Sequence, residues 1–472
     1  MKKTKIIATL GPSSNNKEVI MDMIKNGVDV FRINLSHSSR ELTEKLVKII
    51  KKIDKELNTN TGILIDTKGP EIRVNGIANG YVNLYKENTI ILTTSDFLEE
   101  ENMFHITYKN ICKEVSVGNR LLIDDGLVEL LVMEVTDCNL TCKVLNNCKL
   151  FNNKSVNIPD VDLNMEFLSK EDEEDIAFAS SLSADFVALS FVRSSNDVLD
   201  VNDLLIGLRD EHMQIISKIE CKSALDDIDN IIKVSDGVMV ARGDLGVELE
   251  LETVPMIQKK IVKETYLKSK ISIVATEMLS SMEHKNRPTR AEVSDVSNAV
   301  LDGVDALMLS GETAIGENPV NTVITMKNII EATEQSIDYE QLLNVHCNTR
   351  KDDLTSSISY SVVETANILK AKAIVASTLS GFTAKKVSAF RPSCIIIAPT
   401  PNKKVATSLS LNWGVIPVLV SVFKSTDQIV DEALKISKEI IELEKEDKII
   451  ITGGFPFKNN KNTNFMKVEE II

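Results

Sequence analysis

Eight times along this chain a short run of β-forming residues ends in polar side chains and gives way to a helical pattern. No other feature constrains the fold as tightly. The runs are Lys5 to Leu10, Val28 to Ile33, Ile63 to Ile65, Phe186 to Phe191, Gln214 to Ile219, Gly237 to Val240, Ile271 to Ala275 and Ala306 to Leu309. Strand, crossover helix and next strand at this spacing form parallel pairs with all strand ends on one rim. Eight such units predict an α/β protein of the (β/α)8 TIM-barrel class, in which chemistry gathers at the C-terminal strand ends.

The stretch from Gln214 to Gly246 shows what that rim carries. One run ends in Lys218 and Glu220, an amphipathic segment follows with Leu225, Ile228, Ile231 and Ile232 at helical spacing, and the next run ends in Arg242, Gly243 and Asp244. Lys218, Glu220, Arg242 and Asp244 are therefore expected to converge. Two carboxylates among cations suit a hard divalent ion and an anionic substrate. The alternative is a pair of rim salt bridges. Elsewhere on the rim the same logic singles out Arg32, Asn34, Ser36 and His37, then Asp66, Thr67 and Glu71, then Thr276 and Ser310.

The alternation is interrupted from about Arg73 to Val156 by short alternating runs separated by Gly, Asn and Asp, the pattern of a small all-β module. It reads as an insertion in one βα loop, placed as a lid that excludes water from the rim. A third segment repeats the α/β pattern at Ala373–Ser377, Ile395–Ala398, Val415–Val420 and Ile449–Thr452 and predicts an open, mainly parallel sheet. The expected division is residues 1–69 and 157–337 for the barrel, 70–156 for the inserted β-barrel lid, and 338–472 for the C-terminal α/β domain. In the last, Thr378, Ser380, Gly381 and Thr383 precede a helix. Hydroxyls and a glycine at a helix N-terminus form a phosphate cradle or an ordinary capped helix start.

At 472 residues the chain is long enough for two or three domains, and its aromatic content of only 4% requires an aliphatic core, as buried parallel strands do. A net charge of −15 argues against nucleic acid, because there is no excess of cations to displace phosphate counterions. Seven scattered cysteines and no signal segment read as reduced thiols in a cytoplasmic protein, and Cys138, Cys142 and Cys148 fit no common zinc spacing. No apolar stretch is long enough to span a bilayer.

Together KTKIIATLGPSS, VFRINLSH, DTKGPEIR, SKIE, VMVARGDLGVE, ATEMLSSM, RPTRAEVSDVSNAVLDGVDALMLSGETA and TNFMKV resemble the pyruvate kinase family, in the right order from residue 3 to the C-terminus. The resemblance implies transfer of a phosphoryl group from phosphoenolpyruvate to ADP, giving pyruvate and ATP. It implies Mg²⁺ (or Mn²⁺) held by Glu220 and Asp244, with Lys218 beside the phosphoryl group in flight and Arg32 holding the phosphate. Thr276 would take part in protonating the enolate, with water and Ser310, and backbone amides near Gly243 and Asp244 would orient the substrate carboxylate. Asn34, Ser36, Asp66 and Thr67 would form a K⁺ site, and glutamate at Glu71 places the chain with the K⁺-dependent members. Nucleotide contacts would come from Asn34, Ser36, His37 and Arg73. Thr378, Ser380, Gly381 and Thr383 resemble the family's pocket for a phosphorylated allosteric effector, and a homotetramer is the usual assembly.

Three positions depart from the family pattern: Cys221 where asparagine is usual, Glu277 where glutamine is common, and Ser194 where a basic residue normally meets the nucleotide. These predict weaker nucleotide binding with the chemistry retained. Two other readings compete. A metal-dependent barrel lyase or aldolase would use a similar ion site but needs neither lid nor C-terminal domain. A degenerate paralogue that binds sugar phosphates and regulates a partner would have only those three departures in its favour.

Overall fold

The computed structural model describes residues 1–472 except positions 96, 99, 101, 160, 162, 348–352, 424 and 455–462 and the side chains of 345–347. All eight expected barrel strands form: β1 (Lys5–Thr9), β2 (Val30–Asn34), β3 (Gly62–Asp66), β4 (Phe186–Leu189), β5 (Gln214–Ile219), β6 (Gly237–Ala241), β7 (Ile271–Ala275) and β8 (Ala306–Leu309). They pair in parallel in sequence order, and β1 closes the ring on β8 with Lys5 opposite Ala306.

Alternate residues of these strands face opposite ways. One set, including Ile7, Val30, Leu64, Ala188, Ile216 and Met239, fills the barrel interior. The other set, including Ile6, Phe31, Ile65 and Val187, packs against the surrounding helices. Both layers are mainly aliphatic, and each fully buried Val, Leu, Ile, Met or Phe contributes roughly 1.5–3 kcal/mol. The helices start where local chemistry allows. Ser39 accepts the Leu42 N–H ahead of Arg40–Leu57, and Ser169 does the same for Asp172 ahead of the acidic first turn of Lys170–Ser181.

Between β3 and β4 the chain leaves the barrel and builds a second, closed barrel of seven short strands, from Arg73–Asn75 to Lys154–Asn157. A two-stranded ribbon pairs Tyr81–Leu84 with Cys148–Phe151. One short helix, Ile111–Glu114, lies in this module where the sequence pattern predicts none. Four residues make a single turn, too short to impose a visible hydrophobic period.

The C-terminal segment forms the expected open sheet from β9 (Ala373–Ala376), β10 (Ile395–Thr400), β11 (Val415–Leu419) and β12 (Lys448–Gly453). A fifth strand, β13 (Phe465–Glu470), runs antiparallel along β12. This sheet is anchored to the lower end of the barrel. Leu411 completes the interior cluster from below. A Cβ on Gly62 would stand 2.3 Å from Ser410 Oγ, so only glycine fits at the start of β3. Arg391 and Asp305, each 3% exposed, pair through two bonds of 2.9 Å across the same junction. Among the described residues no helix is long and apolar enough to cross a membrane.

Candidate active site

The site follows from the strand period. The interior-facing residues of β2, β3, β4 and β5 are Val30, Leu64, Ala188 and Ile216. Two residues further on, in the same orientation, stand Arg32, Asp66, Ser190 and Lys218, and two beyond Lys218 stands Glu220. The polar layer therefore caps the apolar interior at the C-terminal rim.

Its members are tightly bonded. Lys218 Nζ donates to Ser190 Oγ at 2.8 Å and lies 2.9 Å from Glu220 Oε1 and 3.3 Å from Asp66 Oδ1. Arg32 Nε donates to Asp66 Oδ2 at 2.5 Å, and Arg32 Nη1 reaches Thr9 Oγ1 at 3.2 Å. Ser190 Oγ–H donates to the Thr67 carbonyl at 2.7 Å, and the Phe191 N–H donates to Glu220 Oε2 at 2.6 Å. Asp66 is fully buried. Burial would raise its pKa, but Arg32 and Lys218 hold the carboxyl below its ordinary value. Burial pulls the Lys218 ammonium the other way, yet Asp66 and Glu220 keep its pKa above the ordinary value.

Asp244 lies in the helix Arg242–Glu248 that begins directly after β6. Burial, and then the neighbouring Glu220, push its carboxyl up to about 8; Asp125, on a turn of the inserted barrel, adds to the effect. Asp124, Asp125 and Gly126 all lie in the left-handed region, the sharp turn that carries Asp125 to the rim. Glu220, buried, and Asp244, half-buried, are thus two carboxylates close enough to share a hydrogen bond. Among the described residues no three His, Cys, Asp or Glu side chains gather into a metal cage. An oxygen-only pair is the donor set that suits a hard divalent ion, which would also take substrate oxygens.

Of the four residues expected to converge, Lys218, Glu220 and Asp244 do so and Arg242 does not. The alternation of β6 ends at Ala241. Arg242, the first residue of the helix, turns toward β7 and donates to the Thr276 carbonyl at 2.6 Å and to Asp295 Oδ2 at 2.6 Å. Thr276 Oγ1 accepts the Gly243 N–H at 2.8 Å and donates to the Ala275 carbonyl at 2.6 Å. Ser310 follows β8 as the cap of Gly311–Ala314, its N–H donated to Glu312 Oε2 at 2.7 Å.

Asn34 lies opposite Asp66 in the β2–β3 register, and Asn34 Oδ1 accepts the Ser36 N–H at 2.9 Å. Thr67 Oγ1 donates to the Ala188 carbonyl at 3.3 Å. His37 is exposed. Arg73 Nε donates to Glu71 Oε2 at 2.8 Å, so these two pair with each other, and Arg73 Nη1 also reaches the Asn153 carbonyl at 2.6 Å.

A cleft of about 470 Å³ opens between the barrel rim and the inserted module, lined by Glu71, Ser155, Arg193, Ser194, Cys221 and Ser223 among others. Two of the departures, Ser194 and Cys221, face this cleft. The third, Glu277, is exposed beside Thr276. Arg193 is held by the linker that returns from the module, donating to the carbonyls of Leu163 at 3.0 Å and Met165 at 2.8 Å. In the C-terminal domain Gly381, at φ 84°, precedes the helix Phe382–Ala389, and the Thr383 hydroxyl pairs with that of Thr463 at 2.9 Å. Thr378 and Thr383 are buried.

Sequence reasoning did not single out Ser190, Thr9 or the Phe191 N–H. Ser190 had a usable signal, being the first polar residue above the interior layer of β4. The Phe191 amide had none, since it depends on a left-handed backbone at φ 54°.

A (β/α)8 barrel with an inserted β-barrel lid, a C-terminal α/β sheet, and an ammonium, a guanidinium and paired carboxylates on its rim defines a multidomain barrel phosphotransferase. The family model for the pyruvate kinase barrel domain matches residues 1–323, and that for the pyruvate kinase alpha/beta domain matches residues 356–469. Pyruvate kinase of Clostridium perfringens is 42% identical over 474 residues, covering all of both chains. That of Staphylococcus saprophyticus is 42% identical over 470 residues, covering 99% of this chain and 80% of the relative. The crystal structure of a pyruvate kinase from Cryptosporidium parvum superposes with a TM-score of 0.93 at 35% identity, covering 100% and 96% of the two chains. The chain belongs to the pyruvate kinase family.

Proposed function

We propose that the chain moves the phosphoryl group of phosphoenolpyruvate to ADP, giving pyruvate and ATP, as the ATP-forming step of glycolysis in the cytoplasm. The observation that carries this reading is the meeting of Lys218 and Glu220, 2.9 Å apart, with Asp244 over one rim. Such a cluster supplies the positive charge and the oxygen ligands that an in-line phosphoryl transfer requires.

In this reading Arg32 holds the phosphate through paired donors, which a lysine could not imitate. Lys218, kept charged by its carboxylate neighbours, offsets charge as the phosphoryl group leaves and the enolate oxygen develops. Glu220 and Asp244 would hold Mg²⁺ (or Mn²⁺), which when bound supplies Lewis-acid polarisation of phosphoryl and carboxylate oxygens. The substrate carboxylate lies toward Gly243 and Asp244. The Thr276 hydroxyl, with Ser310 and water, delivers a proton to the methylene carbon. Asn34, Ser36, Asp66 and Thr67 hold K⁺, and Glu71 marks the dependence on it. Asn34, Ser36, His37 and Arg73 meet the nucleotide, and the inserted module closes over the cleft to exclude water. A phosphorylated effector binds at Thr378, Ser380, Gly381 and Thr383 and activates, within a homotetramer.

The test is a coupled assay of pyruvate formed from phosphoenolpyruvate and ADP with Mg²⁺ and K⁺. ADP-dependent turnover is expected. Pyruvate chemistry without ADP dependence would favour a lyase, and no turnover would favour a binding protein.

A further inference from the structure

Thr276 adopts φ 67° and Glu277 φ 54°, two consecutive left-handed residues without a glycine at the end of β7. For a β-branched residue such as Thr276 this backbone is a genuine outlier, and it persists only where surrounding contacts impose it. The backbone on either side of that bend is held by one side chain. Arg242 Nη2 donates to the Thr276 carbonyl at 2.6 Å and lies 3.0 Å from Met278 Sδ, while Nε reaches the Ala275 carbonyl at 3.3 Å. Nη1 donates to Asp295 Oδ2 at 2.6 Å. All three guanidinium nitrogens are thereby committed to protein atoms, and the side chain is only 13% exposed. Arg242 is not disposed as a substrate cation.

Asp295 is itself fixed. It sits on the helix Arg290–Leu301, whose first turn is closed by a Thr289–Glu292 capping box. Glu292 also accepts the Ser281 N–H at 2.7 Å and the Ser281 hydroxyl at 2.6 Å, which ties the 276–289 loop to the same helix. The residue after Arg242 completes the arrangement, since the Gly243 N–H donates to Thr276 Oγ1 at 2.8 Å. One dipeptide, Arg242–Gly243, grips Thr276 by both its carbonyl and its hydroxyl.

We propose that Arg242, braced by Asp295, is a positioning residue that holds Thr276 in its strained conformation and so fixes the place from which its hydroxyl, resting on the Ala275 carbonyl, acts on the enolate. The proposal rests on the assignment of Thr276 to enolate protonation. Misplacing a proton donor by about 1 Å costs on the order of 100-fold. Loss of Arg242 is therefore expected to slow turnover and leave substrate affinity largely intact.

The experiment is a double-mutant cycle of Arg242→Ala and Thr276→Ala, with Arg242→Lys and Asp295→Asn beside it. Steady-state kinetics would be read together with exchange of pyruvate methyl hydrogens with deuterated solvent. Arg242→Ala should lower kcat about 100-fold and leave the KM for phosphoenolpyruvate within about threefold. Methyl exchange should fall in parallel, and added guanidinium ion should recover about tenfold. Asp295→Asn, which keeps the guanidinium but frees it, should show the same pattern more weakly, and it stands in if Arg242→Ala does not fold. In the Thr276→Ala background, Arg242→Ala should cost nothing further. Additive losses alongside an impaired Thr276→Ala, or a loss confined to KM, overturn the proposal alone. Full activity in Thr276→Ala overturns the assignment beneath it as well.

Discussion

Ser190 Oγ accepts from Lys218 Nζ at 2.8 Å and donates onward to the Thr67 carbonyl at 2.7 Å. The hydroxyl thus fixes the ammonium between the ends of β3 and β4, where Asp66 and Glu220 already hold it. Breaking a buried ion cluster by removing one partner leaves uncompensated charge, typically at about 3–5 kcal/mol. Lys218→Met should therefore abolish pyruvate formation, by on the order of 1000-fold, and also destabilise the barrel. Ser190→Ala keeps every charge and removes one charge-assisted hydrogen bond, for about a tenfold loss in kcat. Assays of both variants beside thermal melts check the pair. Equal activity losses in the two would show that Ser190 does more than orient the ammonium.

Asp185, just ahead of β4, joins the barrel to the C-terminal domain. Its carboxylate accepts the Ile63 N–H at 2.9 Å and the hydroxyl of Thr407. Burial is the leading cause that pushes it from an ordinary 3.8 to about 6, against the pull of those hydrogen bonds. A carboxyl with a raised folded-state pKa takes up its proton more readily when folded. The stability this contributes is fully present below pH 3.8 and is lost as pH rises through about 6. A shift of this size corresponds to about 3 kcal/mol between those limits. Asp185→Asn should remove that slope. Urea midpoints for parent and variant at pH 4.5 and 7.5 measure it, and parallel pH profiles would mean that Asp185 stays ionised throughout.

What the sequence made legible is what a two-residue period controls. Lys218 and Glu220 continue the interior-facing positions of β5, so their meeting could be read without coordinates; Arg32 and Asp66 obey the same period and join them, although the expected cluster did not include them. Arg242 could not be placed that way, because helical geometry replaces alternation at that residue and turns its side chain toward β7. The Glu71–Arg73 pair does not follow from alternation, because Glu71 lies in the loop ahead of the strand Arg73–Asn75. Strand β13 was not foreseeable, for Phe465–Glu470 pairs along the outer edge of the sheet and is largely exposed on both faces. The short helix Ile111–Glu114 lies below the length at which periodicity speaks at all.

Glu71 accepts from Arg73 and lies on the wall of the cleft. If its negative charge marks a site completed by K⁺, replacing K⁺ with tetramethylammonium should reduce turnover by about tenfold or more. Glu71→Lys should narrow that gap, because a fixed ammonium then supplies the charge, although it also places a second cation beside Arg73. Turnover in the two salts at equal ionic strength decides the matter. An unchanged parent enzyme in tetramethylammonium counts against the K⁺ assignment of Asn34, Ser36, Asp66 and Thr67.

Ser194 stands where the family resemblance implies a cation toward the nucleotide, and the guanidinium of its neighbour is already engaged. Arg193 faces the same cleft, but its guanidinium is occupied by the carbonyls of Leu163 and Met165. The Ser194 N–H is given to Asp197 Oδ2 at 3.0 Å, so the backbone here is fixed by the helix start while the side chain lines the cleft. A lysine at this position can keep that backbone bond and extend its ammonium toward a diphosphate. The new ion pair is solvent-exposed and therefore modest, worth up to about 1 kcal/mol. Ser194→Lys should lower the KM for ADP by about two- to fivefold with kcat unchanged, and the gain should shrink as salt is raised through the Debye screening range. Titration of ADP at low and high ionic strength tests both parts. A KM that does not move at low salt would mean that another group already neutralises the nucleotide phosphates.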